Sequence, residues 1–202
     1  MTESKCHIAI LIADARSESQ PKAQRENCLL VINELLINQP ECFTGHKKQL
    51  FTQLLVCRKD ESDEVSGSAD LAMETLSKMM ERGECMSAYL EALEEWAPSI
   101  NSEGPDGSPN GSCLQFLGPL LRQYTAKELS EKGFTGRIAI SAIKGLNVPG
   151  SQNSLIRKSS IICLVELERL IGNSLWSYTQ DLTDAQRKLL SVYIERERVM
   201  PV

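Results

Sequence analysis

Apolar stripes of helical period recur in pairs along this chain, and the second member of each pair falls near Arg25, Gly67, Cys113 and Arg157. The intervals, 42, 46 and 44 residues, are those of arrays built from stacked helix pairs. A lone helix pair cannot bury its apolar stripe, whereas pairs stacked side by side pool their stripes into one continuous core. No segment alternates apolar and polar residues over five or more positions between turn signals, so nothing competes as a strand.

The spacing predicts a first pair over 3–15 and 21–38, with Pro21 opening the second helix and Pro40 stopping it. Cys28, Val31, Ile32, Leu35 and Leu36 form the expected inward stripe of that helix. A second pair spans 45–57 and 63–82, closed by Gly83 as a helix C-cap. The third begins with 84–96 and resumes at 113–129, after a stretch over about 98–111 with three Gly and two Pro in its last eleven residues. That stretch carries no large apolar side chain beyond its first residues and reads as an exposed internal loop. The fourth pair covers 134–146 and 154–171. Its second helix is apolar on two sides, with Ile156, Cys163, Leu164, Leu167, Leu170 and Ile171 on one and Ile161 and Val165 on the other, so it belongs inside a stack. Gly172 ends it, and a last helix over 183–198 starts on Thr183 and Gln186, which have capping-box spacing. The expected fold is all-α: an α-solenoid of about four HEAT-like helix pairs plus a C-terminal capping helix, forming one domain over 1–202.

Composition narrows the function classes. The net charge of −5 leaves no overall footprint for nucleic acid or an anionic membrane, and no apolar run is long enough to span a bilayer. Seven cysteines occur without a CxxC pair, most of them inside apolar stretches, as expected of small buried hydrophobes in a reducing compartment. The two histidines, His7 and His46, join no ligand array, Cys42 and His46 alone being too few, so neither a metal nor another cofactor is expected. Neither a nucleophile elbow nor a phosphate-cradling glycine loop is present. Carboxylate pairs such as Glu94 and Glu95 sit among other helix-surface charges, so no catalytic residue is expected and the chain reads as a non-enzyme.

What remains is surface for protein partners. Trp96 and Trp176 are the two tryptophans, each near a helix end or connector. The last helix carries Arg187, Lys188, Tyr193, Arg196 and Arg198, while Leu182, Ala185, Leu189, Val192 and Tyr193 are expected to face inward. Trp176, Lys188, Tyr193 and Arg196 are the candidate partner-binding residues, since Trp, Tyr and Arg dominate interface hot spots. Ser108-Pro109 has the minimal form of a proline-directed phosphorylation site.

Two stretches resemble a known family. Ser154-Leu155-Ile156-Arg157-Lys158, leading into Ile161-Ile162-Cys163-Leu164-Val165, and Lys188-Leu189-Leu190-Ser191-Val192-Tyr193-Ile194-Glu195-Arg196 resemble the closing repeat and terminus of CLASP proteins. The likeness is convincing over the last fifty residues and extends upstream as repeat layout. It implies the TOG-like C-terminal domain of a microtubule regulator, in the cytoplasm on microtubules, spindle and kinetochore. Such a domain recruits adaptors, among them CLIP-type plus-end trackers and kinetochore proteins, with direct tubulin binding as the alternative. The chain departs from tubulin-binding TOG domains at its first inter-helix turn, where Ser17-Glu18-Ser19-Gln20 holds no tryptophan.

Overall fold

Among the described residues ten α-helices form, and local chemistry sets several of their starts and stops. The computed structural model describes residues 2–58, 60–95, 109–148 and 154–199. Among them the order is α1 (Thr2–Arg16), α2 (Lys22–Asn38), α3 (Lys47–Cys57), α4 (Asp63–Met79), α5 (Arg82–Glu95), α6 (Pro109–Leu121), α7 (Ala126–Glu131), α8 (Phe134–Leu146), α9 (Ser154–Ile171) and α10 (Asp184–Val199). Short 3-10 segments occupy Pro40–Phe43 and Gly172–Asp181, and no strand occurs among the described residues. Trp96, Ser108 and the remainder of 96–108 lie outside the described residues, as do the side chains of Cys6 and His7.

Several boundaries differ from expectation, each for a local reason. Gly83 does not close α4; it sits in the first turn of α5, and α4 ends where Met80 turns extended. The helix expected over 113–129 is two. α6 starts earlier, at Pro109, inside the stretch expected to be loop, so Pro109, Asn110 and Gly111 are helical. α7 starts on a new cap, where Thr125 Oγ1 accepts the Glu128 N–H at 3.2 Å and the Glu128 carboxylate accepts the Thr125 N–H at 2.8 Å. Both orphan donors at that end are satisfied, so a fresh helix there is favoured over continuing the old one. Gly133 and Gly172 take left-handed backbone, with φ 69° and 58°, where α8 begins and where α9 ends.

The contacts group into two compact units, Met1–Ala88 and Tyr89–Val202. In the first, α1 packs on α2 and α3 on α4, while α1 also meets α3 and α2 meets α4, giving two layers of paired helices. Leu29, Ile32 and Leu36 of α2 are buried with Leu50, Phe51, Leu54 and Leu55 of α3 and Val65, Ala69, Met73 and Leu76 of α4. The inward stripe of α2 is rotated from expectation: Leu29 is buried and Val31 is 44% exposed.

In the second unit α9 is the central element, packed between α6 and α8 and touched by the 3-10 connector and α10. Residues on both its sides, including Ile156, Ile161, Cys163, Leu164, Val165 and Leu167, are buried, as the two-sided pattern predicts. Gly145 lets α8 approach closely, since a Cβ there would overlap the Ser160 hydroxyl of α9 and stand 3.0 Å from Leu114 of α6. Glu94 of α5 and Arg137 of α8 form a two-pronged ion pair at 2.7 and 2.9 Å. Tyr89 stacks on Phe116 with ring centroids 6.0 Å apart.

Candidate interaction surfaces

Two surfaces stand out, one in each unit. In the first unit the start of α2, just after the turn 17–21, is tied to the turn between α3 and α4 (58–62) by a largely buried ion pair. Arg25, in the first turn of α2 and only 7% exposed, grips Asp60 of the second turn through both terminal nitrogens. Asp60 also accepts the Ser62 N–H at 3.0 Å, which fixes the start of α4. Arg58 pairs with Asp70, and Ser66 Oγ donates to the Arg58 carbonyl at 2.9 Å. Cys57 Sγ lies 3.5 Å from the Ala15 carbonyl, joining the ends of α1 and α3. Burial pushes that thiol up to about 11, with the Asp60 charge adding to the effect. An open groove of about 570 Å³ runs beside the first turn, lined by Ile12, Arg16, Glu18, Gln49 and Gln53 among others. The turn edge is therefore a preset surface with alternating charge.

The second surface is α10. Leu190 and Ile194 face inward, following Leu182, and all three are buried. Polar contacts fix this rotation. Gln186 Nε2 donates to the Leu146 carbonyl at 3.3 Å and to Asn147 Oδ1 at 2.9 Å. Arg187 donates to the carbonyls of Thr179 and Gln180 at 3.2 and 2.9 Å. Arg198 pairs with Glu168, a carboxylate 5% exposed on α9. Thr183 and Gln186 form the predicted cap, the Thr183 N–H donating to Gln186 Oε1 at 2.9 Å.

That rotation corrects the expected face. Ala185, Leu189, Val192 and Tyr193 point outward; Leu189 is 44%, Val192 52% and Tyr193 43% exposed. Leu189-Leu190 and Val192-Tyr193-Ile194 offer apolar residues to both sides, so apolar spacing alone does not choose between them. Of the candidate binding residues, Lys188, Tyr193 and Arg196 are all exposed on α10. Trp176 is half-buried on a different element, the 3-10 connector. Arg187 and Arg198 are engaged within the chain, whereas no carboxylate among the described residues lies within ion-pairing distance of Lys188 or Arg196.

Nothing among the described residues forms a cluster able to hold a metal ion. His46 occupies the N-cap position of α3 without a side-chain capping bond and lies 3.4 Å from Gln49, and the Cys42 thiol lies 3.7 Å from Gln39. No described helix is long and apolar enough to cross a membrane.

Comparison with known proteins gives two kinds of likeness. No family model matches the chain. CLIP-associating protein 1-A of Xenopus laevis is 29% identical over 176 residues, 86% of this chain and 11% of that protein. The CLIP-associated protein of Arabidopsis thaliana is 23% identical over 172 residues, 85% of this chain and 11% of that protein. The chain thus spans about a ninth of the length of these relatives. The likeness to CLASP proteins legible in the last fifty residues reaches across most of the chain.

Among solved structures, one described as "Crescerin uses a TOG domain array to regulate microtubules in the primary cilium" aligns with a TM-score of 0.71 at 13% identity, covering 95% of this chain and 74% of that one. Another, "Structural Basis of Microtubule Plus End Tracking by XMAP215, CLIP-170 and EB1", aligns with a TM-score of 0.68 at 17% identity, covering 95% and 72%. The fold is that of HEAT-like helical arrays of the TOG type.

Proposed function

We propose that this chain is a TOG-type module of a microtubule-associated protein and that it contacts tubulin or the microtubule directly. One observation carries this reading: kinship in sequence to CLIP-associating proteins and likeness in fold to a TOG array from a microtubule regulator coincide over nearly the whole chain. The turn edge of the first unit supports it. Its second turn is anchored to α2 by Arg25–Asp60 and to α4 by Arg58–Asp70, so little conformational entropy is lost there when a partner seats against it. The exposed Arg16 and Lys22 flank this edge and supply charge for an acidic partner. The module would then act in the cytoplasm, on the microtubule cytoskeleton.

The test is co-elution of the 202-residue chain with tubulin dimer on a sizing column at low salt. A shared peak is expected, weakened by Arg16→Glu with Lys22→Glu. Separate elution of the wild-type chain contradicts the reading.

Adaptor recruitment is the second reading, favoured by the outer face of α10. Its exposed Leu189, Val192 and Tyr193, flanked by Lys188 and Arg196, have the character of a docking strip for another helix. Trp176, half-buried in the preceding connector, would be a separate contact. Adaptors bound there would direct the parent protein to plus ends, spindle or kinetochores. Pull-down of candidate adaptors with Lys188→Glu plus Arg196→Glu tests this; undiminished capture by a folded variant removes the surface.

A further inference from the structure

α6 and α9 lie side by side in constant register. Gly111 faces Leu155, Gly118 faces Ile162, and Arg122, just past α6, donates to Glu166 at 2.6 Å; each pair is 44 residues apart. A Cβ at Gly111 would stand 3.6 Å from the Leu155 side chain, and one at Gly118 3.4 Å from that of Ile162. Both residues therefore lean onto α6 where it carries no side chain, yet they remain 41% and 42% exposed. After Ser154 the exposed residues of α9 are Leu155, Lys158, Ile162 and Arg169. Their intervals of three, four and seven put them on one line along the helix. Gln115, Pro119 and Arg122 form the exposed row on the neighbouring edge of α6.

The charge these two helices show to solvent is of one sign. α6 contains no carboxylate, and both of those on α9, Glu166 and Glu168, are 5% exposed. Arg122 and Arg169, each about half in water, share Glu166 between them. Glu197 of α10 also acts on Arg122. Lys158 has no carboxylate within ion-pairing distance among the described residues. Three cations thus stand against two carboxylates, one of them buried, in a chain whose 27 acidic residues outnumber its 22 basic ones. A single exposed leucine needs no explanation. An apolar line whose own helices expose positive charge alone is the outline of a partner.

We infer that the α6–α9 face binds an acidic amphipathic helix of a partner protein. Leu155 and Ile162 are seven residues apart, about 10 Å along the axis, and match two apolar residues at the same spacing on the partner. Pro119 widens the apolar floor on the α6 side. Carboxylates flanking the partner's apolar stripe reach Lys158 at one end and Arg122 and Arg169 at the other. The two arginines spend a part of their five N–H donors each on Glu166 and keep the rest for a second carboxylate. Because these cations are exposed, apolar contact supplies most of the affinity, and charge chooses the sign of the partner and turns basic helices away. The face is carried by elements other than the turn edge and the outer row of α10, and it is tested apart from both.

The test is fluorescence anisotropy of two labelled synthetic helices, each about three heptads long, titrated with the full 202-residue chain. Both carry one leucine stripe; one is flanked by glutamate, the other by lysine. The glutamate helix is expected to bind with a Kd of about 1 to 100 µM that weakens as salt rises, and the lysine helix at least about tenfold more weakly. Ile162→Glu, at an exposed position where circular dichroism verifies the fold, weakens the glutamate helix at least about tenfold. Lys158→Glu, which breaks no ion pair within the chain, weakens it about threefold or more and narrows the preference between the two helices. Equal binding of the two helices overturns the proposal, as does no binding of either up to about 1 mM. Undiminished binding by Ile162→Glu or by Lys158→Glu overturns it too. Binding lost in Val192→Glu but kept in Ile162→Glu places the helix on α10, which overturns this proposal and leaves the adaptor reading of that helix standing.

Discussion

Arg198, in the last turn of the terminal helix, reaches back to Glu168, whose carboxylate is buried on α9. The guanidinium remains largely in water while its partner is withdrawn from it, so the pair matters chiefly to Glu168. Without Arg198 a buried carboxylate loses its charged donor. Arg198→Ala is expected to lower stability by about 1–2 kcal/mol. It should loosen α10 before the rest of the unit. Hydrogen exchange that speeds up over 184–199 and not over α9 is the expected pattern.

The Arg25–Asp60 pair predicts a separable effect on the turn edge. Both side chains are mostly buried, and Asp60 also anchors Ser62 at the start of α4. Asp60→Ala leaves the Arg25 guanidinium buried and unpaired, a loss of about 3 kcal/mol. Denaturant midpoints measure the loss. Tubulin binding at a temperature where the variant is still folded should fall as well, because the second turn is no longer anchored to the start of α2.

Gly145→Ala is expected to destabilise by about 1–3 kcal/mol, the range for forcing an added methyl into a packed interface. The new Cβ overlaps the Ser160 hydroxyl, which donates to the Ile156 carbonyl at 2.8 Å and cannot swing away without losing that bond. Gly145→Ala combined with Ser160→Ala should recover part of the loss. Equal stability of the single variant and the wild type would contradict the close approach of α8 and α9.

Alkaline pH should weaken the fold through its buried thiols. Burial pushes Cys163 up to about 12 from an ordinary value of 9.0, with the Glu166 charge adding to the effect. The unfolded chain therefore gives up its thiol proton first. Below pH 9.0 the thiol is protonated in both states and pH has no effect through it; from there to about 12 the unfolded state gains and stability falls. The slope is up to about 1.4 kcal/mol per pH unit per thiol. Chemical denaturation at several pH values checks this, and Cys163→Ala should flatten the fall.

The helix pairs were legible because their ends carry strong local signals: Pro21, Gly172 and the Thr183–Gln186 cap all lie at helix boundaries. Helix rotation was harder to read. On α2 and α10 apolar residues occupy adjacent positions, Leu29-Leu30-Val31 and Leu189-Leu190, so two stripes are available and composition does not rank them. On α10 the choice is made by Gln186, Arg187 and Arg198, whose partners lie 7 to 40 residues away in sequence. Glu166 shows the same limit. Its buried carboxylate is held by Arg122, 44 residues upstream, and by Arg169 three residues on. Arg169 alone would read as an ordinary surface pair. One signal was present and missed: Thr125 with Glu128 marks the start of α7 within an otherwise unbroken helical composition.

The measurement that bears most directly on function is a tubulin titration of the 202-residue chain followed by sedimentation velocity. A faster boundary that saturates at one defined stoichiometry, and recedes when Arg16 and Lys22 are both changed to Glu, is the predicted result. A chain that sediments alone at every tubulin concentration, with its helical signal intact, would contradict direct contact with tubulin.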